Sequence, residues 1–257
     1  MTKEEKLICF ENEINLIQEA DIKKFLTVAI ENLDDYVFTR EASSSGKFHP
    51  LSDLGEGGLL RHIKCVFYIG YDLLQLEHFQ EKFSLRDREL ILVSLLLHDA
   101  KKYGEPDMNR IHTINTHPTL ASDWVKQFSL LDDIIPEEDR LRIGACIASH
   151  SGQWNTNKKG EEFLPKPSND MEFFVHLCDY IASRRYLDLD LSNIDTKVKK
   201  PVEPKDFVLD FGKKHNGHSL QQIYEKDKQY LLWAKENMRR EPAHTYIVKF
   251  MKGKEGE

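Results

Sequence analysis

Apolar positions recur every three or four residues through most of the first 190 residues, which is the spacing of amphipathic helices. This pattern predicts helices over residues 3–19, 21–38, 58–80, 85–103, 117–131, 136–150 and 169–187. Pro136 is followed by three acidic residues, a composition typical of a helix start, because carboxylates stabilise the positive end of the helix dipole. The segment 40–58 is rich in serine and glycine and predicts a loop.

The pattern changes after residue 187. Residues 188–205 are polar and contain two prolines, so we place a linker at 191–205. Beyond it, 206–212 (DFVLDFG) alternates apolar and polar residues like a short strand, and 243–251 (AHTYIVKFM) is a second candidate strand. The predicted fold class is mainly α: a helical domain over 1–190, with helices 1–40 preceding a core at 57–187, and a small α+β module over 206–257.

Length and composition limit the class of protein. The 257 residues suit one large domain, or one domain with a small appendage, and 40% apolar residues are enough for a core. No run of eighteen apolar residues occurs, and the start MTKEEKLICFENEINL lacks the basic flank and apolar stretch of a signal peptide. We therefore expect a cytoplasmic protein without a membrane partner. The four cysteines form no CxxC pair, which predicts small buried hydrophobes and argues against a zinc knuckle.

Charge is distributed unevenly along the chain. The net charge is −7, but residues 196–257 hold 14 Lys and Arg against 9 Asp and Glu, whereas residues 1–195 hold 22 against 34. A basic tail on an acidic body indicates a polyanionic partner or, equally, an ordinary solvated helix surface. The sequence leaves the oligomeric state open.

Histidines and aspartates stand at the ends or on the apolar faces of five predicted helices, in the order H…HD…H…H…D. They are His62, His98, Asp99, His117, His150 and Asp179. Singly, each has an ordinary explanation, such as a histidine beside the negative end of a helix dipole. Together they point to a metal site, because imidazole and carboxylate ligands suit divalent ions such as Mn²⁺, Fe²⁺ or Zn²⁺. The charge of a metal would also offset the desolvation of Asp99 at the end of a leucine-rich helix.

This order of ligands resembles that of the HD-domain metal-dependent phosphohydrolases. The segments that carry the resemblance are GGLLRH (57–62), LLLHDAKKYG (95–104), HPTLASDWV (117–125), IASHSGQWN (147–155) and HLCDYIAS (176–183). The resemblance implies an HD-domain helical bundle with two divalent metal ions, Mn or Fe, with Mg, Zn, Co and Ni as alternatives. A hydroxide that bridges the two ions would be the nucleophile.

The resemblance also implies roles for single residues. One ion would be held by His62, His98, Asp99 and Asp179, and the second by Asp99, His117 and His150. Lys102 matches the lysine of the HDxxK form and would contact the substrate phosphate, so that Asp99 and Lys102 are the catalytic residues. Lys101 stands where the family usually has glycine. His112 is a rival of His117, which we prefer because HPTLASDWV is similar to the family's HPxxGA helix start.

Two further likenesses bear on the substrate. Among HD proteins, GGLLRH and SHSGQW are most similar to bacterial HD-type 3′–5′ exoribonucleases, whose N-terminal OB-fold has no counterpart in the helical first forty residues. Residues 206–238 resemble the small module that follows exodeoxyribonuclease X. These likenesses imply a phosphodiesterase or nuclease that acts on single-stranded nucleic acid, 3′–5′ and exonucleolytically. A nucleotide or cyclic-nucleotide phosphohydrolase and a non-catalytic nucleotide-sensing module are the alternatives.

Six residues are candidate substrate contacts. Trp154 could stack on a base, and Arg184 could clamp a phosphate through two hydrogen bonds. Packing within the loop and a surface ion pair are the ordinary alternatives for these two. The other candidates are Arg61 and Gln153 beside proposed ligands, and Lys213 and Lys214 near a glycine turn in the basic tail.

Overall fold

The fold is taken from a computed structural model, which describes residues 1–44, 46–105, 110–187, 189–191, 193–194 and 202–255. Contacts divide the chain into two compact units, Met1–Lys199 and Lys200–Glu257. Residues 195–201 of the predicted linker lie outside the described residues. Helices dominate both units, so the prediction of a mainly α fold is confirmed. Within the described ranges, no helix has the length and apolar character needed to cross a membrane.

The helices of the first unit follow the predicted segments, with breaks where the prediction had continuous helix. They are α1 (Lys3–Cys9), α2 (Glu11–Leu16), α3 (Ala20–Glu31), α4 (Tyr36–Thr39), α5 (Gly58–Leu73), α6 (Glu77–Lys82), α7 (Leu85–Leu97), α8 (His117–Gln127), α9 (Glu137–Ser149) and α10 (Asp170–Ala182). A short 3-10 helix, Leu51–Asp53, lies in the loop before α5.

Helix α7 lies at the centre of this unit. Every residue from Glu89 to Leu97 is buried, and the helix packs against α3, α5, α9 and α10. A helix that is apolar on all sides is stable only when other elements surround it. Ser84 and Asp87 form a capping box at its start.

Helix α7 ends at Leu97, whereas the sequence predicts that it continues to residue 103. From there the chain forms turns, in which backbone hydrogen bonds join residues three apart instead of four. Ala100 N donates to Leu97 O, and Lys102 N donates to Asp99 O. The hydroxyl of Tyr36 bonds to the carbonyl oxygens of Ala100 and Gly104 and anchors this turn. His98 and Asp99 therefore lie just beyond the end of the buried helix.

A glycine sets the distance between α5 and α7. A Cβ atom on Gly70 would lie 2.2 Å from Leu95 Cδ1 and 3.4 Å from Cys178 Sγ on α10. Any larger residue at position 70 would require the buried Leu95 side chain to move. The close approach brings together the three helices that lead to His62, His98 and Asp179.

The four cysteines are free and buried, as predicted. Burial raises the pKa of the Cys146 thiol to about 12. They act as small apolar side chains of the core.

The second unit contains α11 (Leu220–Asn237) and α12 (Ala243–Glu255), which pack against each other around a small core of their own. The predicted strand at 243–251 is wrong, since these residues form the first turns of α12. The buried positions are Ala243, Ile247, Phe250 and Met251, and their spacing is that of one face of a helix. Of the predicted strand at 206–212, only an isolated bridge between Val208 and Ser219 forms.

Asp227 interrupts α11 with an extended backbone, φ −154° and ψ 63°. Its carboxylate accepts a hydrogen bond from Tyr230 N at 3.2 Å and so caps the second half of the helix. Lys214 forms an ion pair with the same carboxylate, and His215 Nε2 lies 3.0 Å from it. Lys214 and the neighbouring Lys213 are exposed.

Glu89 provides a test of how much the contact between α7 and α3 stabilises the first unit. Its buried carboxylate accepts hydrogen bonds from Gln18 N at 2.7 Å and Glu19 N at 3.0 Å, which join α7 to the start of α3. We expect Glu89→Ala to lower the free energy of unfolding in urea by about 2–4 kcal/mol, because two backbone donors lose a charged acceptor. Exposed Glu81→Ala is the control. A loss as small as that of the control would contradict this role.

Candidate metal centre

The structure brings the six predicted ligand residues to one place. His62 lies in α5, His98 and Asp99 directly after α7, His117 at the start of α8, His150 directly after α9, and Asp179 in α10. The first five are buried, and the side chain of Asp179 is 20% exposed. His112, the rival of His117, is exposed.

Asp99 joins two groups of ligand atoms. One group is His62, His98 and Asp99, the other is Asp99, His117 and His150, and within each the atoms lie no more than 4.8 Å apart. Asp99 Oδ1 lies 2.9 Å from His117 Nε2 and 3.7 Å from His150 Nε2. Asp99 Oδ2 lies 3.4 Å from His98 Nε2 and 3.7 Å from His62 Nε2. Each carboxylate oxygen thus faces its own pair of imidazoles.

Asp179 adds a second carboxylate on the Oδ2 side of Asp99. Its Oδ1 lies 3.1 Å from His62 Nε2 and 3.8 Å from His98 Nε2. These contacts place it beside the group of His62, His98 and Asp99, although it is not one of the three mutually close atoms in that group.

The hydrogen bonds of the histidines fix which ring nitrogen faces the centre. The Nδ1 atoms of His98, His117 and His150 each lie 2.6–2.7 Å from the carbonyl oxygen three residues earlier. A carbonyl oxygen can only accept, so each Nδ1 carries the hydrogen, and each neutral ring presents an Nε2 lone pair. Three lone pairs therefore converge on the Asp99 carboxylate.

Such a group of acceptors is stable only with positive charge among it. His117 Nε2 and His150 Nε2 lie 3.2 Å apart, and the buried His98 Nε2 has no hydrogen-bond partner among the described residues. Burial lowers the pKa of His150 to about 3, so a proton on that ring is disfavoured. Lone pairs and carboxylates aimed at shared points are a donor set that could hold a metal ion.

A carboxylate that sequence reasoning missed, that of Asp53, lies behind His62. Asp53 Oδ2 lies 3.7 Å from His62 Nδ1, on the side of the ring that faces away from Asp99. Arg61 forms an ion pair with the same carboxylate and donates a hydrogen bond to Leu189 O at 2.8 Å. The predicted substrate contact Arg61 thus lies behind the ligand His62, where it holds Asp53.

Backbone packing fixes Asp53 in this position. A Cβ atom on Gly58, the first residue of α5, would lie 2.0 Å from Asp53 O, so only glycine leaves room for the loop. Ala42 N also donates to Asp53 O at 3.0 Å. The loop 46–57 is therefore a built part of the site.

Neighbouring charges lower the pKa of Asp99 and raise the pKa of His62. Burial alone would raise the pKa of Asp99, but the ammonium of Lys102 holds it well below its usual value. Burial opposes a proton on His62, yet the carboxylates of Asp179 and Asp53 raise its pKa to about 9. A metal ion at His62 Nε2 would compete with this proton.

A cleft of about 350 Å³ opens onto these ligands. Its lining includes His117, His150, Asp179 and Lys102, and apolar side chains such as Phe48 and Phe163. Lys102 Nζ lies 2.9 Å from Asp99 Oδ2. A larger cavity of about 750 Å³ contains none of the six ligand residues, and we do not assign the site to it.

Two predicted substrate contacts, Trp154 and Arg184, lie together at this cleft. Trp154 is 48% exposed, and its ring stacks on Tyr180 at 5.5 Å with an angle of 11°. The guanidinium of Arg184 lies 4.0 Å from the centre of the Tyr180 ring and 5.6 Å from that of Trp154. Gln153 is exposed beside them but does not line the cleft.

Sequence reasoning missed three residues here: Asp53, His49 and Tyr180. His49 and Asp53 lie in a loop without hydrophobic periodicity, so only their acidic or imidazole chemistry could have marked them. Tyr180 directly follows the ligand Asp179, and that adjacency was an available signal.

Comparison of the chain with protein-family models, with curated proteins and with solved structures finds no match. The assignment of a function therefore depends on the residues and their geometry.

Asp53 provides a test of the geometry. We expect Asp53→Ala to weaken binding of Mn²⁺ or Zn²⁺ about 10–100-fold, because His62 loses the carboxylate that orients it. Titration calorimetry with each metal measures the effect. Glu56→Ala, an exposed change in the same loop, should leave the affinity unchanged. Equal affinities for both variants and the unaltered protein would show that Asp53 does not act on the ligand.

Proposed function

We propose that this protein is an HD-type metal-dependent phosphohydrolase that cleaves phosphodiester bonds of single-stranded nucleic acid, 3′–5′ and exonucleolytically. The observation that carries the proposal is the Asp99 carboxylate, whose two oxygens face two separate pairs of imidazole nitrogens. A buried carboxylate shared in this way is the arrangement expected of a ligand that bridges two ions.

The donor set supports this chemistry. Two divalent ions held by these residues would supply an activated water and would neutralise the charge of a phosphate in the transition state. The Nδ1 hydrogen bonds keep the Nε2 lone pairs of His98, His117 and His150 available. Mn²⁺ and Fe²⁺ suit imidazole and carboxylate ligands, with Mg²⁺, Zn²⁺, Co²⁺ and Ni²⁺ as alternatives.

Lys102 supplies a cation from the chain itself. Its ammonium lies in the cleft beside Asp99, and the side chain is 12% exposed. From this position it donates hydrogen bonds to a non-bridging oxygen of the substrate phosphate and orients the phosphorus toward the ligands.

Trp154 and Arg184 favour a substrate that carries a base. A half-exposed tryptophan ring that lines the cleft provides a stacking surface, and an unpaired base has a free π-face for it. Duplex DNA keeps its bases stacked inside, so the arrangement favours a single strand. The exposed Lys213 and Lys214 of the second unit would add attraction for a polyanion.

The size of the cleft supports a second candidate function. Its volume of about 350 Å³ lies at the lower end of the range for small-ligand pockets, which suits a single nucleotide. A nucleotide or cyclic-nucleotide phosphohydrolase is therefore the alternative. Labelled single-stranded RNA and DNA, assayed with Mn²⁺ beside free and cyclic nucleotides, separate the two: cleavage of nucleotides alone would exclude the nuclease.

Asp99 tests the catalytic proposal. We expect Asp99→Ala to lower the rate of phosphodiester hydrolysis by more than about 100-fold, since removing a shared ligand costs more than removing a partner that orients one. Bound metal, measured by mass spectrometry of the purified protein, should fall as well. Asp123→Ala, an exposed change on α8, is the control. Unchanged activity and metal content in the Asp99 variant would overturn the proposal.

Trp154 tests the stacking surface. We expect Trp154→Ala to lower kcat/KM for a single-stranded oligonucleotide about 5–100-fold, the loss that corresponds to one base–aromatic stack. An oligonucleotide whose 3′-terminal nucleotide is abasic should show no such loss. Trp154→Phe, which keeps an aromatic face, is the matched control. Equal losses on both substrates would show that Trp154 only supports the loop.

A further inference from the structure

His49 is a buried histidine of the cleft that has no role among the six ligands. It is 9% exposed and lines the cleft together with Lys102, His117 and Asp179. Neither of its ring nitrogens has a hydrogen-bond partner among the described residues. His98, by contrast, uses Nδ1 to bond a backbone carbonyl.

The position of His49 is fixed by its surroundings. Pro50 follows it, and Asp53 N donates to Pro50 O at 3.1 Å within the short 3-10 helix. The His49 ring packs edge-on against the ring of His62, with 4.7 Å between the ring centres. The same short segment therefore places two side chains against His62: Asp53 faces its Nδ1 atom, and the ring of His49 packs against its ring.

An imidazole buried in this way is unfavourable unless something in the cleft bonds to it. Neither group of mutually close ligand atoms includes His49, so the geometry does not make it a further metal ligand. A neutral imidazole offers one N–H donor and one lone pair. Lys102 lines the same cleft and adds positive charge to it, which favours an anionic ligand, and an anion accepts hydrogen bonds.

We propose that His49 is a substrate-binding residue, which donates a hydrogen bond from a ring nitrogen to an oxygen of the phosphoester in the cleft. The identity of the ligand rests on the proposed function, whereas the free imidazole and its place in the cleft do not. His49 thus holds the substrate from the side of the loop 46–57, and Lys102 holds it from the turn after α7.

Kinetics and stability together test this role. We expect His49→Leu to lower kcat/KM for a single-stranded oligonucleotide about 10–100-fold, the loss of one hydrogen bond to a charged group. Bound metal should stay unchanged, and the Tm should not fall, because leucine removes an unpaired buried polar group. His49→Asn or His49→Gln should restore part of the activity, since an amide nitrogen replaces Nδ1 or Nε2. The exposed change His78→Ala is the control.

Unchanged kcat/KM in His49→Leu would overturn the inference. A fall in bound metal would also overturn it, because His49 would then act on the metal ions. A drop in Tm that accompanies the loss of activity, without rescue by either amide, would show a structural role instead.

Binding of inorganic phosphate gives a readout that does not need turnover. Long-range ¹H–¹⁵N NMR spectra of the protein, metal-free and loaded with Zn²⁺, report on each imidazole, and His49→Gln identifies the His49 signals. We expect phosphate to shift them. If phosphate shifts them but no phosphoester is hydrolysed, the proposed reaction is wrong and the binding role stands. If hydrolysis occurs but the signals do not move, the binding role is wrong.

Discussion

A carboxylate buried at the end of a buried helix, among the lone pairs of several imidazoles, is stable only if positive charge lies beside it. Asp99 is in this position, directly after the central helix α7. Lys102 supplies one charge from within the same turn. Each oxygen of the carboxylate faces two histidines, and these groups could hold a metal ion, which would supply further positive charge.

Such a site depends on rigid support, because a ligand displaced by a fraction of an ångström no longer completes the group. Helix α7 is surrounded by other helices, and the contact of Gly70 with Leu95 sets how closely α5 approaches it. On the other side of His62, the contact of Gly58 with Asp53 fixes the loop 46–57. Two glycines thus position the ligands of α5 and α7 without touching them.

Much of the helical fold and all six candidate ligands could be predicted from the sequence. The helices α5, α9 and α10 show clear apolar periodicity, and histidine or aspartate at their ends is conspicuous against it. The strand predicted at 243–251 failed because a short apolar run fits both periods, and packing against α11 decided for a helix. Asp53 and His49 were missed because a loop has no period, and only the folded backbone brings them to His62. The same packing turns Arg61 from a supposed substrate contact into the partner of Asp53.

The two ways of orienting a histidine in this site have different consequences for sequence variation. The rings of His98, His117 and His150 are held by backbone carbonyl oxygens, which every residue type provides. Substitutions at Leu95, Ile114 and Ile147 that preserve the local backbone therefore leave the orientation of these rings intact. His62 instead faces a side chain, the carboxylate of Asp53. Leu95 and Ile147 are fully buried and are constrained by core packing, so a change there has to fit the core, whereas a substitution at Asp53 removes the supporting group itself.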